Sequence, residues 1–336
     1  MTFSSKAVVM REIGAPDVLE IKDFNLPWPG SSDEVLVRIE VAGVNPADTF
    51  FRSLGTYLGE GPGTILGHDG AGVVEAVGDA VTSVQVGDRV CFCNGGLGGD
   101  AGTYAYHAIV PEWLLARVPD SIDTASAAAL PLVFITAWES FVERAQLQKN
   151  ETVLIHGGAG GTGQIAIQIA RELNARIATT ISSEEKSALV RSLGAELAIN
   201  YKQDDFTTTV REWTDGVGVN VVFDNAGLDV FKKSLDAMAP YGRIVTLMGT
   251  PGDTEDETAY NGNHTIHNVM MLTPMWLGLE AERRRQGVLV RKAMNWLEEG
   301  RIDVRVAATF PLEEAAEAHS LLERGGMTGK VVLKVQ

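Results

Sequence analysis

At 336 residues the chain can bury two separate cores, and 45% apolar with 21% charged residues is the make-up of a globular protein, not a disordered one. A formal net charge of −16 opposes binding to nucleic acid or to an anionic membrane, so a phosphate-bearing ligand must be held by local amides and a few placed cations. The longest weakly polar run, 125–138, is interrupted by Ser126, Pro131 and Thr136 and is too short for a membrane span; with an N-terminus lacking secretory-signal blocks, this points to a cytoplasmic protein.

The first third reads as strands at 34–41, 72–77, 89–93 and 105–110, separated by Gly- and Asp-rich turns at 86–88 and 95–100. Cys91 and Cys93 are the only cysteines; at a spacing of two on a strand they share a face and read as small apolar residues. They cannot by themselves supply a four-ligand zinc site. The rhythm then changes. A short apolar strand at 152–156 precedes a helix with Ile165, Ile169 and Leu173 on one face, and a second strand follows at 176–180. Ser182 to Glu185 has capping-box spacing ahead of a helix that ends near Gly194. Further strands at 196–200, 220–224, 243–247 and 267–273 alternate with helices, which predicts a parallel sheet covered on both faces. A helix at 281–299, a short helix after Pro311 and a strand at 330–334 are too little for a third core and are expected to return to the first domain. The predicted class is α/β: a mostly-β domain from 1–124 and 277–336, and a doubly wound domain at 125–276.

Gly158, Ala159, Gly160, Gly161, Thr162 and Gly163 fit G-x-G-x-x-G, directly after a strand and directly before an apolar-faced helix. Glycines let the backbone turn tightly and approach a pyrophosphate, while the helix N-terminus offers unpaired N–H groups. An NAD site carries an acid about 20 residues on, at the end of the second strand, to hold the ribose 2′-hydroxyl. Here Ile181 stands there, followed by Ser182 and Ser183, with Lys186 one helical turn further; these suit a 2′-phosphate and favour NADP(H). The alternative is that Ser182 only caps the helix and Lys186 is a solvated lysine; Glu184 and Glu185 would repel a phosphate. Asn225 ends another strand where a doubly wound sheet places its ligand, and Gly249 would allow a further close approach.

Gly67-His68-Asp69-Gly70-Ala71-Gly72-Val73-Val74, Val86-Gly87-Asp88-Arg89-Val90, the glycine turn and Gly329-Lys330-Val331-Val332 together resemble the medium-chain dehydrogenase/reductase superfamily over essentially the whole chain. Gly157 to Gly163 is similar to its quinone oxidoreductase (zeta-crystallin-like) branch. The resemblance implies a GroES-like catalytic domain, a Rossmann-type domain and a cofactor in the cleft between them. Zinc members carry a cysteine in G-x-C-x-x-D; here Gly43-Val44-Asn45-Pro46-Ala47-Asp48 puts Asn45 in its place, and the last zinc-ligand position falls near Leu132. His68 and Asp69 alone make a poor zinc site, so no metal is expected and His68 reads as a hydrogen-bonded structural residue. Without a Lewis acid, the accessible chemistry is hydride addition to a conjugated acceptor, a small-molecule quinone or an α,β-unsaturated carbonyl.

By position in the branch's motifs, the resemblance assigns Asn45, Tyr57 and Thr136 to the nicotinamide and acceptor, with Tyr57 equally readable as a packing residue. Tyr201 is assigned to the adenosine phosphate. Lys330 sits where a cofactor contact and a plain surface lysine are equally expected. The edge strand at 267–273, lacking proline and lysine and presenting Val269 and Met271, is expected to pair with its twin in a homodimer. Rival readings are a zinc-type alcohol dehydrogenase and a non-catalytic NADP-binding structural or sensor protein.

Overall fold

A computed structural model describes residues 2–29, 32–59, 61, 63–250 and 257–335. The chain divides into two units, Met1–Ile135 with Leu272–Gln336, and Thr136–Met271.

The first unit begins with β1 (Thr2–Met10) and β2 (Leu19–Pro27), an antiparallel pair. There follow β3 (Glu34–Val44), α1 (Pro46–Leu54), β4 (Asp69–Val77), β5 (Arg89–Cys93), β6 (His107–Pro111), β7 (Ala116–Arg117) and α2 (Thr124–Ala129). Strand β3 is the spine of this unit: Val35, Leu36, Val37 and Ile39 are fully buried, and β4, β6 and the last strand all pair with it. Helix α1 starts where its sequence commands. Asn45 is the N-cap, Pro46 fills the first turn without forfeiting a hydrogen bond, and the Asp48 carboxylate accepts from the Asn45 N–H at 2.8 Å. Cys91 and Cys93 are buried and free. Helix α3 (Pro131–Trp138) crosses the division between the units, and a π-helical segment, Glu139–Arg144, continues it.

The second unit contains β8 (Thr152–Ile155), α4 (Gly161–Glu172), β9 (Arg176–Ile181), α5 (Glu184–Leu193), β10 (Leu197–Asn200), α6 (Phe206–Trp213) and β11 (Val219–Asp224). It is completed by α7 (Leu228–Ala237), β12 (Met238–Thr246), α8 (Glu257–Asn261) and β13 (Thr265–Asn268). All six strands are parallel, in the order β10-β9-β8-β11-β12-β13. In chain order this is 3-2-1-4-5-6, the Rossmann arrangement, and the order reverses between β8 and β11. Leu154, Ala178, Ile199, Val222 and Ile244 from five of these strands pack with Phe206, Val210, Phe231 and Leu235 of α6 and α7. Burial on both faces explains why the strands read as continuous apolar runs.

The chain then returns through α9 (Thr273–Trp276), α10 (Glu280–Glu298), β14 (Val306–Pro311), α11 (Ala315–Glu323) and β15 (Lys330–Lys334). Strand β15 lies antiparallel to β3, with Val331 opposite Val44, and carries β14 on its outer side. The first unit is therefore a seven-stranded sheet, order β14-β15-β3-β4-β5-β7 with β6 also on β3, that a C-terminal strand completes. No helix among the described residues is long and apolar enough to cross a membrane.

Two local expectations are corrected. The edge strand runs Thr265–Asn268, not 267–273, and Val269 and Met271, 7% and 5% exposed, are buried and not displayed along the edge. Backbone pairing fixes the strand's limits: its register with β12 ends at Asn268 opposite Thr246. The cap of α5 is Ser183, whose side chain makes no capping bond, so the Ser182 box does not form.

Candidate functional site

In the second unit the site is built on the turn from β8 to α4. Gly157 has φ 64°, a left-handed conformation that favours glycine, and a Cβ there would lie 3.2 Å from Asn225 Oδ1. A Cβ on Gly158 would meet Thr179 Oγ1 at 2.1 Å, and one on Gly163 would meet the Gly157 carbonyl oxygen at 2.3 Å. Glycine is thus required twice for packing alone: once against β9 and once where α4 crosses the turn. Helix α4 starts at Gly161 with Gly160 as N-cap, so the first N–H groups, lacking intrahelical acceptors, come from the glycine-rich segment itself. The turn lies at the C-terminal end of β8, beside the reversal of strand order where such sheets bind ligands. The turn fits a dinucleotide pyrophosphate, because a 12-residue helix begins in it with N–H groups that lack intrahelical acceptors, and Gly158 and Gly163 admit no side chain there.

The neighbouring hydroxyls are spoken for. Thr179 Oγ1 donates to the Ile155 carbonyl at 2.7 Å, and Thr180 Oγ1 accepts from the Gly157 N–H at 3.0 Å. His156 joins them: its Nδ1 lies 3.2 Å from Thr180 Oγ1 and its Nε2 2.8 Å from Ser234 Oγ. Burial pushes the His156 imidazole down to about 4, against an opposing pull from Asp224, so the ring is neutral at pH 7. What remains at the end of β9 is buried Ile181, half-buried Ser182 and Ser183, and Lys186, whose ammonium donates to Ser182 Oγ at 2.9 Å. Tyr201 is 54% exposed, and its N–H donates to the Ile181 carbonyl, which brings it beside the same strand end.

At the end of β11, the buried Asp224 carboxylate accepts from the N–H groups of Ala226 and Gly227 and from Thr246 Oγ1 at 2.9 Å. That ties the strand ends carrying Asn225 and Met248 together. Gly249 has φ 79° with open space around its Cβ position. Thr136 is buried, and its carbonyl accepts from Ser140 Oγ at 2.7 Å.

In the first unit, Asn45, Asp69 and Lys330 come together although they are far apart in sequence. Asn45 Nδ2 donates to Asp69 Oδ2 at 2.9 Å, and Lys330 Nζ donates to Asn45 Oδ1 and, at 3.2 Å, to the Val44 carbonyl. Asp69 Oδ1 accepts from the Leu132 N–H at 2.8 Å, and Lys330 Nζ stands 3.8 Å from Asp69 Oδ2. All three side chains are buried. Burial pushes the Asp69 carboxyl up against the pull of Lys330, and pushes the Lys330 ammonium down against the pull of Asp69. A second chain runs beside it. His68 Nδ1 donates to Asp48 Oδ1 at 2.7 Å, and Tyr104 Oη donates to Asp48 Oδ2 at 3.2 Å and lies 3.0 Å from His319 Nε2. Burial alone would raise Asp48, but His68 and the Asn45 N–H outweigh it and hold the carboxyl below its usual range. His68 is therefore hydrogen-bonded, and among the described residues no three His, Cys, Asp or Glu side chains are grouped to hold a metal.

Tyr57 is 41% exposed, and its ring stacks on Trp276 with centroids 4.4 Å apart and meets Phe51 edge-on at 5.5 Å. The loop carrying it is clamped, since Leu58 N–H donates to the Leu97 carbonyl and a Cβ on Gly98 would strike the Leu58 carbonyl at 1.9 Å. The hydrogen-bonding roles of His156 and Asp69 are not evident from the sequence. His156 had a local signal, a lone polar residue closing an apolar strand just before the glycine turn; the role of Asp69 depends on contacts between distant segments.

Two family models match the chain: an alcohol dehydrogenase GroES-like domain over residues 31–120 and a zinc-binding dehydrogenase over residues 193–333. The chain is 36% identical to a quinone oxidoreductase of Pseudomonas aeruginosa, over 98% of this chain and 99% of that one. It is 32% identical to a 2-haloacrylate reductase of a Burkholderia species, over 98% of this chain and 99% of that one. The solved structure of Escherichia coli quinone oxidoreductase complexed with NADPH superposes with a TM-score of 0.86 at 27% identity, covering 98% of this chain and 100% of that one.

Proposed function

Because the chain belongs to the zinc-free quinone oxidoreductase branch of the medium-chain dehydrogenase/reductase superfamily, we propose that this oxidoreductase uses NADPH to reduce quinones or α,β-unsaturated carbonyl compounds. The observation that carries the reading is the glycine turn at the strand-order reversal, followed by a β9 end with Ile181, Ser182, Ser183 and Lys186 where an NAD site would carry an acid. Gly158, Ala159, Gly160, Gly161, Thr162 and Gly163 hold the pyrophosphate through backbone amides. Ser182, Ser183 and Lys186 hold the 2′-phosphate, and Tyr201, Asn225 and Gly249 flank the rest of the dinucleotide.

The cofactor, when bound, supplies a hydride. The protein's part is to orient the acceptor and stabilise the negative charge that develops on its oxygen. Asn45 can do this through its amide: one Nδ2–H is taken by Asp69, and the other has no hydrogen-bond partner among the described residues. Tyr57, in the same unit as Asn45, adds a phenol on a ring braced by Trp276 and Phe51. A conjugated acceptor needs no more, because its charge spreads into an enolate or a hydroquinone. An unactivated ketone does need more, because its charge stays on one alkoxide oxygen. The test is steady-state NADPH oxidation with a panel of quinones, enones and simple ketones. Turnover confined to the conjugated acceptors supports the reading; turnover of simple ketones alone, or of nothing in the panel, refutes it.

We also infer a C2 homodimer through the outer edge of β13, which among the described residues pairs with β12 alone and forms the end of the sheet.

A further inference from the structure

We propose that Lys330 and Asp69 are positioning residues that fix the orientation of the Asn45 side-chain amide and so leave a single N–H free to meet the acceptor's carbonyl oxygen. The proposal rests on the reductase reading for its consequence, but its geometry stands alone.

An asparagine amide has a donor end and an acceptor end of nearly equal size, and only its neighbours decide which end points where. Around Asn45 the neighbours leave no choice. The Lys330 ammonium has only donors and lies against Oδ1; the Asp69 carboxylate has only acceptors and takes a hydrogen from Nδ2. A flipped amide would set NH2 against an ammonium and oxygen against a carboxylate. The two partners are themselves fixed. Lys330 sits on β15 with a second bond to the Val44 carbonyl, and Asp69 sits on β4 with Oδ1 held by the Leu132 N–H at the start of α3. The Asn45 backbone is pinned as well, its N–H bonded to Asp48. Asn45 is fully buried and has two engaged groups, Oδ1 and one Nδ2–H. The other Nδ2–H is its one remaining donor.

A buried charge pair that only braced the strands of this sheet would do as well, or better, as a neutral pair of similar volume. Lys330 is 5% exposed and Asp69 0%, so both ends of the pair are desolvated, an arrangement that burial disfavours unless the charges do something specific. Sorting the two ends of an amide is such a task, since a neutral pair sorts them weakly or not at all. The same contacts assign the Lys330 ammonium to Asn45 and not to a phosphate of the cofactor.

The test compares four proteins: the parent, Lys330→Gln, Lys330→Met and the double variant Asp69→Asn/Lys330→Met. Glutamine keeps a donor for Asn45 Oδ1; methionine has none; the double variant removes both charges and tolerates burial. We expect the double variant to fold with a melting temperature near the parent's and an NADPH Kd within about twofold, while kcat for the acceptor falls about 100-fold, the loss typical of one misplaced oxyanion donor. Lys330→Gln should keep kcat within about fivefold of the parent and Lys330→Met should not, since only the former retains a hydrogen-bond donor.

A second readout needs no turnover. In a 15N–1H spectrum of asparagine-labelled protein, the Asn45 side chain, identified by its loss in Asn45→Ala, should show one proton shifted downfield by the Asp69 carboxylate. That shift should persist in Lys330→Gln and vanish in the double variant. A folded double variant with parental kcat and an unmoved Asn45 resonance overturns the proposal, as do equal losses in the glutamine and methionine variants. If the parent reduces no quinone or enone, the reductase reading fails, and the resonance still decides whether the pair orients Asn45.

Discussion

Acidification should unlock the second unit at His156, and the size of the effect follows from where the ring lies. His156 is fully buried between Thr180, Ser234 and the Phe206 ring, whose centroid is 4.9 Å away. Burial lowers it from 6.5 to about 4. The folded value lies below the unfolded one, so the stability this group contributes is fully present above pH 6.5 and is lost as the pH falls toward 4. Within that window the unfolded chain carries a proton that the folded chain does not, which removes about 1.4 kcal/mol per pH unit and about 3 kcal/mol in all. His319, also pushed down to about 4 by burial, adds a similar slope in the first unit, and Asp69, raised by burial, offsets part of it. Comparing parent with His156→Gln isolates the one ring. Urea unfolding of both proteins between about pH 7 and about pH 4.5 should show the variant less stable at neutral pH, with the gap closing by about 1.4 kcal/mol per unit of acidification. Parallel stability curves for the two proteins would refute the reasoning.

Three further outcomes are expected. Gly163→Ala places a Cβ 2.3 Å from the Gly157 carbonyl oxygen, a backbone atom that cannot step aside; we expect a loss of about 1–3 kcal/mol in stability and at least about tenfold weaker NADPH binding by fluorescence titration. Lys186→Ala should weaken NADPH binding by about 1–3 kcal/mol and leave NADH binding unchanged, while equal affinity of the parent for both cofactors would contradict the 2′-phosphate assignment. Light scattering at micromolar concentration should give twice the 36.0 kDa of the chain, and a monomer mass there would defeat the β13 dimer.

The Rossmann-type unit was legible because its rules are local. Thr152–Ile155 is an unbroken apolar run, the glycines follow at once, and Ile165 and Ile169 repeat at helical spacing. The last strand, Lys330–Lys334, was legible for the same reason, and its return to the first domain followed from the impossibility of a third core. The N-terminal pair escaped notice: Thr2–Met10 mixes Ser4, Ser5 and Lys6 with apolar residues, and only pairing with Leu19–Pro27 makes it a strand. The edge at β13 was misplaced because Val269 and Met271 look like strand residues, and nothing local says that pairing with β12 stops at Asn268. At the site, Asn45 was visible as a substitution within a motif, but its partners were not. Lys330 lies 285 positions away in the chain and Asp69 24, and a lysine viewed alone on a terminal strand looks solvated. Distant contact, not residue type, gives it its role.

Hydride transfer to a conjugated acceptor without a metal is tested most directly by one isotope experiment. The protein, dialysed against a chelator, is given NADPH deuterated at the transferable ring position and an α,β-unsaturated ketone, whose reduction leaves a carbon–deuterium bond that solvent does not exchange. Mass spectrometry should find one deuterium on the β-carbon of the saturated product, formed at the rate of undialysed protein. A product without deuterium, or turnover that disappears on dialysis and returns with added zinc, would contradict the account.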